Sequence, residues 1–87
     1  MKAKEYKNQV RNINAEAKQN MIDRYYHKHK SSLMINWDFV YFNNDTQKNE
    51  VIQILADSIR NAKWMGHAIL YIKNVDYNVS TTEVHAF

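Results

Sequence analysis

Between about Ala3 and Tyr26 apolar side chains return every three or four residues, at Tyr6, Val10, Ile13, Ala17 and Met21. That spacing is the stripe of an amphipathic helix. On a wheel turning about 100° per residue, one flank of the stripe is basic, with Lys4, Lys7, Arg11 and Lys18, and Asn14 in the same line. The far side holds Glu5, Gln9, Asn12, Glu16 and Asp23. Past Met21 the stripe continues through Arg24 and Lys28, so the last turns are expected to run off the core into solvent, with Ser31-Ser32 ending the helix.

Leu33 to Phe42 changes period: Ile35, Trp37, Phe39 and Tyr41 alternate with Asn36 and Asp38, a strand whose Trp37 and Phe39 side faces inward. Asn43-Asn44-Asp45-Thr46 offers turn and N-cap chemistry, and Asn44 with Gln47 suits a capping-box-like start. A second helix is expected over residues 47–65, burying Val51, Ile52, Leu55, Ile59 and Ala62 and turning Glu50, Gln53, Asp57, Arg60 and Trp64 outward. Gly66 sits where a helix C-cap is wanted. His67 to Lys73 then reads as a strand, Asn74-Val75-Asp76 as a turn, and Tyr77 to Phe87 as strand again. This last segment either closes a terminal hairpin or forms one bent strand with a loose tail.

The resulting order, α-β-α-β-β, describes an α+β two-layer sandwich, a three-stranded sheet with both helices on one face. The first two strands would run parallel across a right-handed helical crossover.

Composition narrows the chemistry. The 87 residues, 10.4 kDa in all, make a single domain over 1–87, and 45% apolar with 24% charged residues is the balance of a globular chain. One glycine excludes the phosphate-binding GxxxxGK[ST] loop, the GxGxxG dinucleotide turn and the GxSxG nucleophile elbow. The lack of cysteine removes disulfides, thiol catalysis and iron–sulfur clusters. No apolar run approaches the roughly 20 residues of a membrane helix, so no membrane role and a cytoplasmic location are expected. Many Asn, Lys, Ile and Tyr with almost no Gly or Pro is the bias of an AT-rich coding sequence, as in a bacterium, phage or plasmid.

Charge is unevenly spread: residues 1–30 carry +5 and the remainder −2. Lys4, Lys7, Arg11 and Lys18 would line about 21 Å of helix at about 1.5 Å per residue, a spacing that suits phosphates or an acidic protein surface. Arg24, Tyr25, Tyr26, His27, Lys28, His29 and Lys30 follow, and basic residues beside aromatic ones are a binding signature. A second patch, Ile54, Trp64 and Met65, lies off the expected buried face of the second helix. His27-x-His29 is a poor metal pair, because residues two apart point to nearly opposite sides of a helix. His67 and His85 would meet across a terminal hairpin in one register only. Asp38, unusual in a strand, is most simply a salt partner for a residue such as Lys73, and no serine has flanking sequence that would activate it.

No catalytic, metal or cofactor site is therefore assigned. The expected function is that of a small non-catalytic binding protein, a regulator or inhibitor of phage or mobile-element type. It would occupy a surface of a larger host or viral protein complex, whether or not that complex handles nucleic acid, through its basic first helix. Direct DNA or RNA binding by the same helix is the alternative, and a homodimer is compatible with either.

Overall fold

The alternation from Ile35 onward becomes the centre of the sheet. The structure, a computed structural model, describes residues 3–30 and 33–87, with side chains described from Asn8 onward. Its elements are α1 (Ala3–Lys28), β1 (Ile35–Asn43), β2 (Lys48–Ala56), α2 (Ile59–Ile72), a 3-10 turn (Val79–Thr81) and β3 (Glu83–Ala86). Two helices and a three-stranded sheet make the expected small α+β fold, but the order is α-β-β-α-β. The strands lie β2-β1-β3, antiparallel throughout.

The segment 47–65, expected as one helix, is β2 followed by the start of α2. Pairing decided it. Against β1, Phe39 lies opposite Ile52 and Trp37 opposite Ile54, so burial falls on every second residue, Ile52, Ile54 and Ala56. Val51 and Leu55, expected inside, take the other face and stay about half exposed. The first two strands are therefore a hairpin and not a parallel pair. The polar run read as a helix start closes its turn: Asn43 Oδ1 accepts from the N–H groups of Asp45 (2.8 Å) and Thr46 (3.3 Å), and Gln47 takes a left-handed φ of 58°.

The expected strand at His67–Lys73 is the body of α2. Ser58 is the true N-cap, its Oγ accepting from the N–H of Asn61 at 3.3 Å. The helix stops at Asn74, which takes φ 58°. Its N–H reaches the Tyr71 carbonyl and that of Val75 reaches the Leu70 carbonyl, both at 3.0 Å, the paired bonds of a Schellman stop. Gly66 is thus mid-helix, not a cap. It is glycine because α2 lies directly on β1 there: a Cβ at this position would strike the ring of Phe39.

Phe39, Ile54, Met65 and Leu70 are the largest fully buried side chains. Trp37 shares the Phe39 face as expected, half-buried, with its indole N–H on the Ala56 carbonyl at 3.1 Å. The tail is not a hairpin. Tyr77 bridges to Asn43, the 3-10 turn follows, and β3 runs back along β1 with Val84 opposite Phe39.

The first helix turns differently from expectation. Its buried face is Ile22 and Tyr25, with Arg11, Ala15, Lys18 and His29 half-covered in the same line. The expected core stripe is left outside: Val10 is 38%, Ile13 65% and Met21 55% exposed. The last turns, expected in solvent, hold the core contacts. Tyr6, Lys4 and Lys7 have side chains outside the described residues, as do Ser31 and Ser32. The helix packs antiparallel to α2, with Tyr25 near its start and Arg11 at its end. The Tyr26 hydroxyl donates to the Leu55 carbonyl at the end of β2 (2.8 Å).

Because the helix–sheet spacing is set at Gly66, Gly66→Ala should lower stability by about 1–3 kcal/mol, although alanine favours helix by about 1 kcal/mol. Phe39→Ala should cost about 3–5 kcal/mol. In the double variant Gly66→Ala, Phe39→Ala the loss should be smaller than the sum of the two single losses, since the shortened residue 39 makes room for the added Cβ. Urea midpoints of the four proteins check this.

Candidate functional site

The end of α2 brings together the residues that build the site. Arg11 crosses from α1 and places Nη2 on the carbonyl of Tyr71 (2.6 Å) and, more loosely, of Ile72 (3.4 Å), while Nε donates to Asn74 Oδ1 at 3.0 Å. These carbonyls carry the negative end of the helix dipole, and the guanidinium adds a charge-assisted bond to that of Tyr71, which the Asn74 N–H also reaches, and covers that of Ile72. Arg11, expected to contact a partner, is thereby committed within the chain. Its guanidinium carbon lies 5.4 Å from the Tyr71 ring centre, and the Lys18 ammonium 4.9 Å from the same ring.

Beside this junction the two helices diverge over a groove of about 750 Å³. Arg11, Lys18 and Met21 form one wall and Trp64, His67 and Tyr71 the other. Val75, Tyr77 and Val79 close the end, and among the described residues no carboxylate lines it. The Trp64 indole N–H is held by Asn61 Oδ1 at 3.0 Å, and its ring meets Tyr25 edge-on at 5.9 Å. His67 shares a 2.6 Å hydrogen bond with the Tyr77 hydroxyl and packs edge-on against Phe39. Burial, with the Lys63 charge adding to it, holds the His67 imidazole below its ordinary pKa, and burial raises that of Tyr77. A neutral, aromatic surface rimmed by two cations results.

The other expected contact residues divide. Tyr25 is core: its hydroxyl donates to Asp57 Oδ1 (2.6 Å) and accepts from the Asp57 N–H (3.0 Å), an anchor that, with Asn61, lowers the Asp57 pKa. Tyr26 is half-buried at the sheet edge, and His29 stacks on Tyr25 with Nδ1 3.8 Å from Asp57. Arg24, His27, Lys28 and Lys30 are exposed. In the second patch Ile54 and Met65 are buried in the core, which leaves Trp64. Asp38 faces Gln53 and His85 across the strands, not Lys73, and its Oδ1 is buried without a hydrogen-bond partner among the described residues. His85 pairs with Glu83 on the open sheet face, far from any pairing with His67. Among the described residues no three metal-type ligands cluster, and no helix is long and apolar enough to cross a membrane.

Sequence reasoning missed His67, Tyr71 and Tyr77. Asn74 was the available signal: taken as the helix stop, it places Trp64, Ala68 and Tyr71 at helical spacing on one face. No family model, curated protein or solved structure matches the chain.

Arg11→Gln should lower stability by about 1–2 kcal/mol through the lost cap, with Arg11→Lys recovering part of it, as read from thermal unfolding. The pH dependence carries two signs that agree. His67 has a lowered folded pKa, so its neutral form favours folding and stability falls as pH drops below the unfolded value of about 6.5. Asp57 and Glu50, lowered by their hydrogen bonds, give stability above the ordinary carboxylate range that is lost as pH falls through their folded values. The expected result is a two-stage loss on acidification, with the upper stage absent in His67→Gln.

Proposed function

We propose that this is a small non-catalytic binding protein, a regulator or inhibitor that grips an anionic, apolar segment of a larger protein in the groove between α1 and α2. The observation that carries the reading is the lining: aromatic walls with, among the described residues, two cations and no carboxylate. Such a surface offers apolar burial and a charge preference together, and its volume lies within the range of built ligand sites, about 300–1,000 Å³. The exposed Met21 in its wall, with exposed Val10 next to Arg11 on the helix, supports a protein partner, since an interface gains from an apolar centre and a phosphate backbone does not. Exposed Arg24, Lys28 and Lys30, at the far end of α1 from Arg11, extend the positive field that attracts an acidic partner to this helix.

Direct nucleic-acid binding uses the same rings and cations differently, by stacking bases and neutralising phosphates. Titrations with an acidic peptide rich in Leu and Phe, and separately with oligo(dT), followed by calorimetry, distinguish the two. The peptide should bind, and Lys18→Glu or Trp64→Ala should weaken it at least about tenfold. Tight oligo(dT) binding with a log–log salt slope of about −0.7 per phosphate, and no peptide binding, would replace this reading with the nucleic-acid one.

A further inference from the structure

We infer that the free edge of β2 is a self-association surface, on which a second copy of this chain adds its own β2 antiparallel, about a two-fold axis at Val51, to make one six-stranded sheet. The carbonyls of Asn36 and Phe42 accept from the N–H groups of Phe87 (2.9 Å) and Asn78 (3.1 Å), so the even-numbered backbone groups of β1 face β3. Its odd-numbered groups therefore face β2, where the register sets them against Glu50, Ile52 and Ile54. The backbone groups of Asn49, Val51, Gln53 and Leu55 are left pointing away from the sheet. Tyr26 closes the Leu55 carbonyl. Among the described residues nothing reaches the outward groups of Asn49, Val51 and Gln53, a stretch whose midpoint is Val51.

Edge strands in monomeric proteins are blunted by proline, a bulge, a charge or a short length. β2 is nine residues long, its register against β1 has no bulge, and the open-face side chains of its edge, Asn49, Val51, Gln53 and Leu55, are all uncharged. Val51 is 54% exposed.

The stretch also complements itself. A two-fold at Val51 sets Val51 against Val51 of the second copy, and Asn49 against Gln53 twice, so that each amide side chain can donate to and accept from the other. On the covered face Glu50 meets Ile52, and no like charges oppose. Sliding the pairing toward Leu55 runs into Tyr26. An extended peptide from another protein would fit the same backbone edge but has no reason to match this symmetry.

The test is sedimentation equilibrium of the full chain from micromolar to near-millimolar concentration, with residue-resolved amide exchange at both ends of that range. A mass rising to twice 10.4 kDa is expected. Amides of Asn49, Val51 and Gln53 should become protected with it, while those of Ile52 and Ile54 stay protected throughout. Val51→Pro removes an N–H that β1 does not use, so it should keep the fold and weaken association about 30-fold through two lost bonds per dimer. Val51→Thr should associate like the parent. A chain that stays monomeric with fast exchange at Asn49, Val51 and Gln53 overturns the inference. So does a dimer in which those amides remain fast, which moves the contact to another surface such as the exposed stripe of α1. The exchange arm uses the parent alone and decides the matter even if Val51→Pro does not fold. The groove is not involved, so peptide binding there stands or falls separately.

Discussion

The close approach of α2 to β1 at Gly66 and Phe39 sets the terms for the rest of the molecule. The missing side chain lets the helix backbone rest on the aromatic ring, and the ring fills the space between the layers. With that spacing fixed, Met65 and Leu70 on either side reach the strands, and His67 is brought edge-on to the same ring. A small domain buries little surface, so a single close contact at the centre of the sheet has large leverage on stability.

A second constraint follows from where α2 ends. Its terminal carbonyls need donors, and to the backbone N–H groups of the Schellman stop the other helix adds a charged side chain. Arg11 at one end and the Tyr25–Asp57 anchor at the other fix both the antiparallel direction of α1 and its rotation about its own axis. That rotation covers Ile22 and Tyr25 and leaves Val10, Ile13 and Met21 outside. An exposed apolar stripe of this kind is a surface on which a binding partner gains most, so the orientation of α1 bears directly on the proposed function.

The strand β1 was legible because its alternation is strong and both its neighbours agree with it: Trp37 and Phe39 do share the inner face. The neighbouring run Val51-Ile52-Gln53-Ile54-Leu55-Ala56 was not, because an apolar cluster broken only at Gln53 fits either period. The pairing partner chose the strand. Gly66 misled for a related reason: local chemistry permits a glycine stop, whereas tertiary contact requires a glycine that is not one. Of the site, the basic line of α1 and Trp64 could be read from the chain, while Tyr71 and Tyr77 could not until α2 had its true ends.

By itself the sequence determined the class of fold, the central strand, the excluded chemistries and the excess of positive charge in the first helix. These depend on composition and on patterns within one element. Only the tertiary structure decided that Arg11 is a cap, that Ile54 and Met65 are core, and that the apolar stripe of α1 faces outward. The reason is that a helix with both an apolar and a basic face has two ways to lie on a domain. The carbonyls at the end of α2 and the hydroxyl of Tyr25, contacts between residues some 30 to 60 positions apart, select one of them.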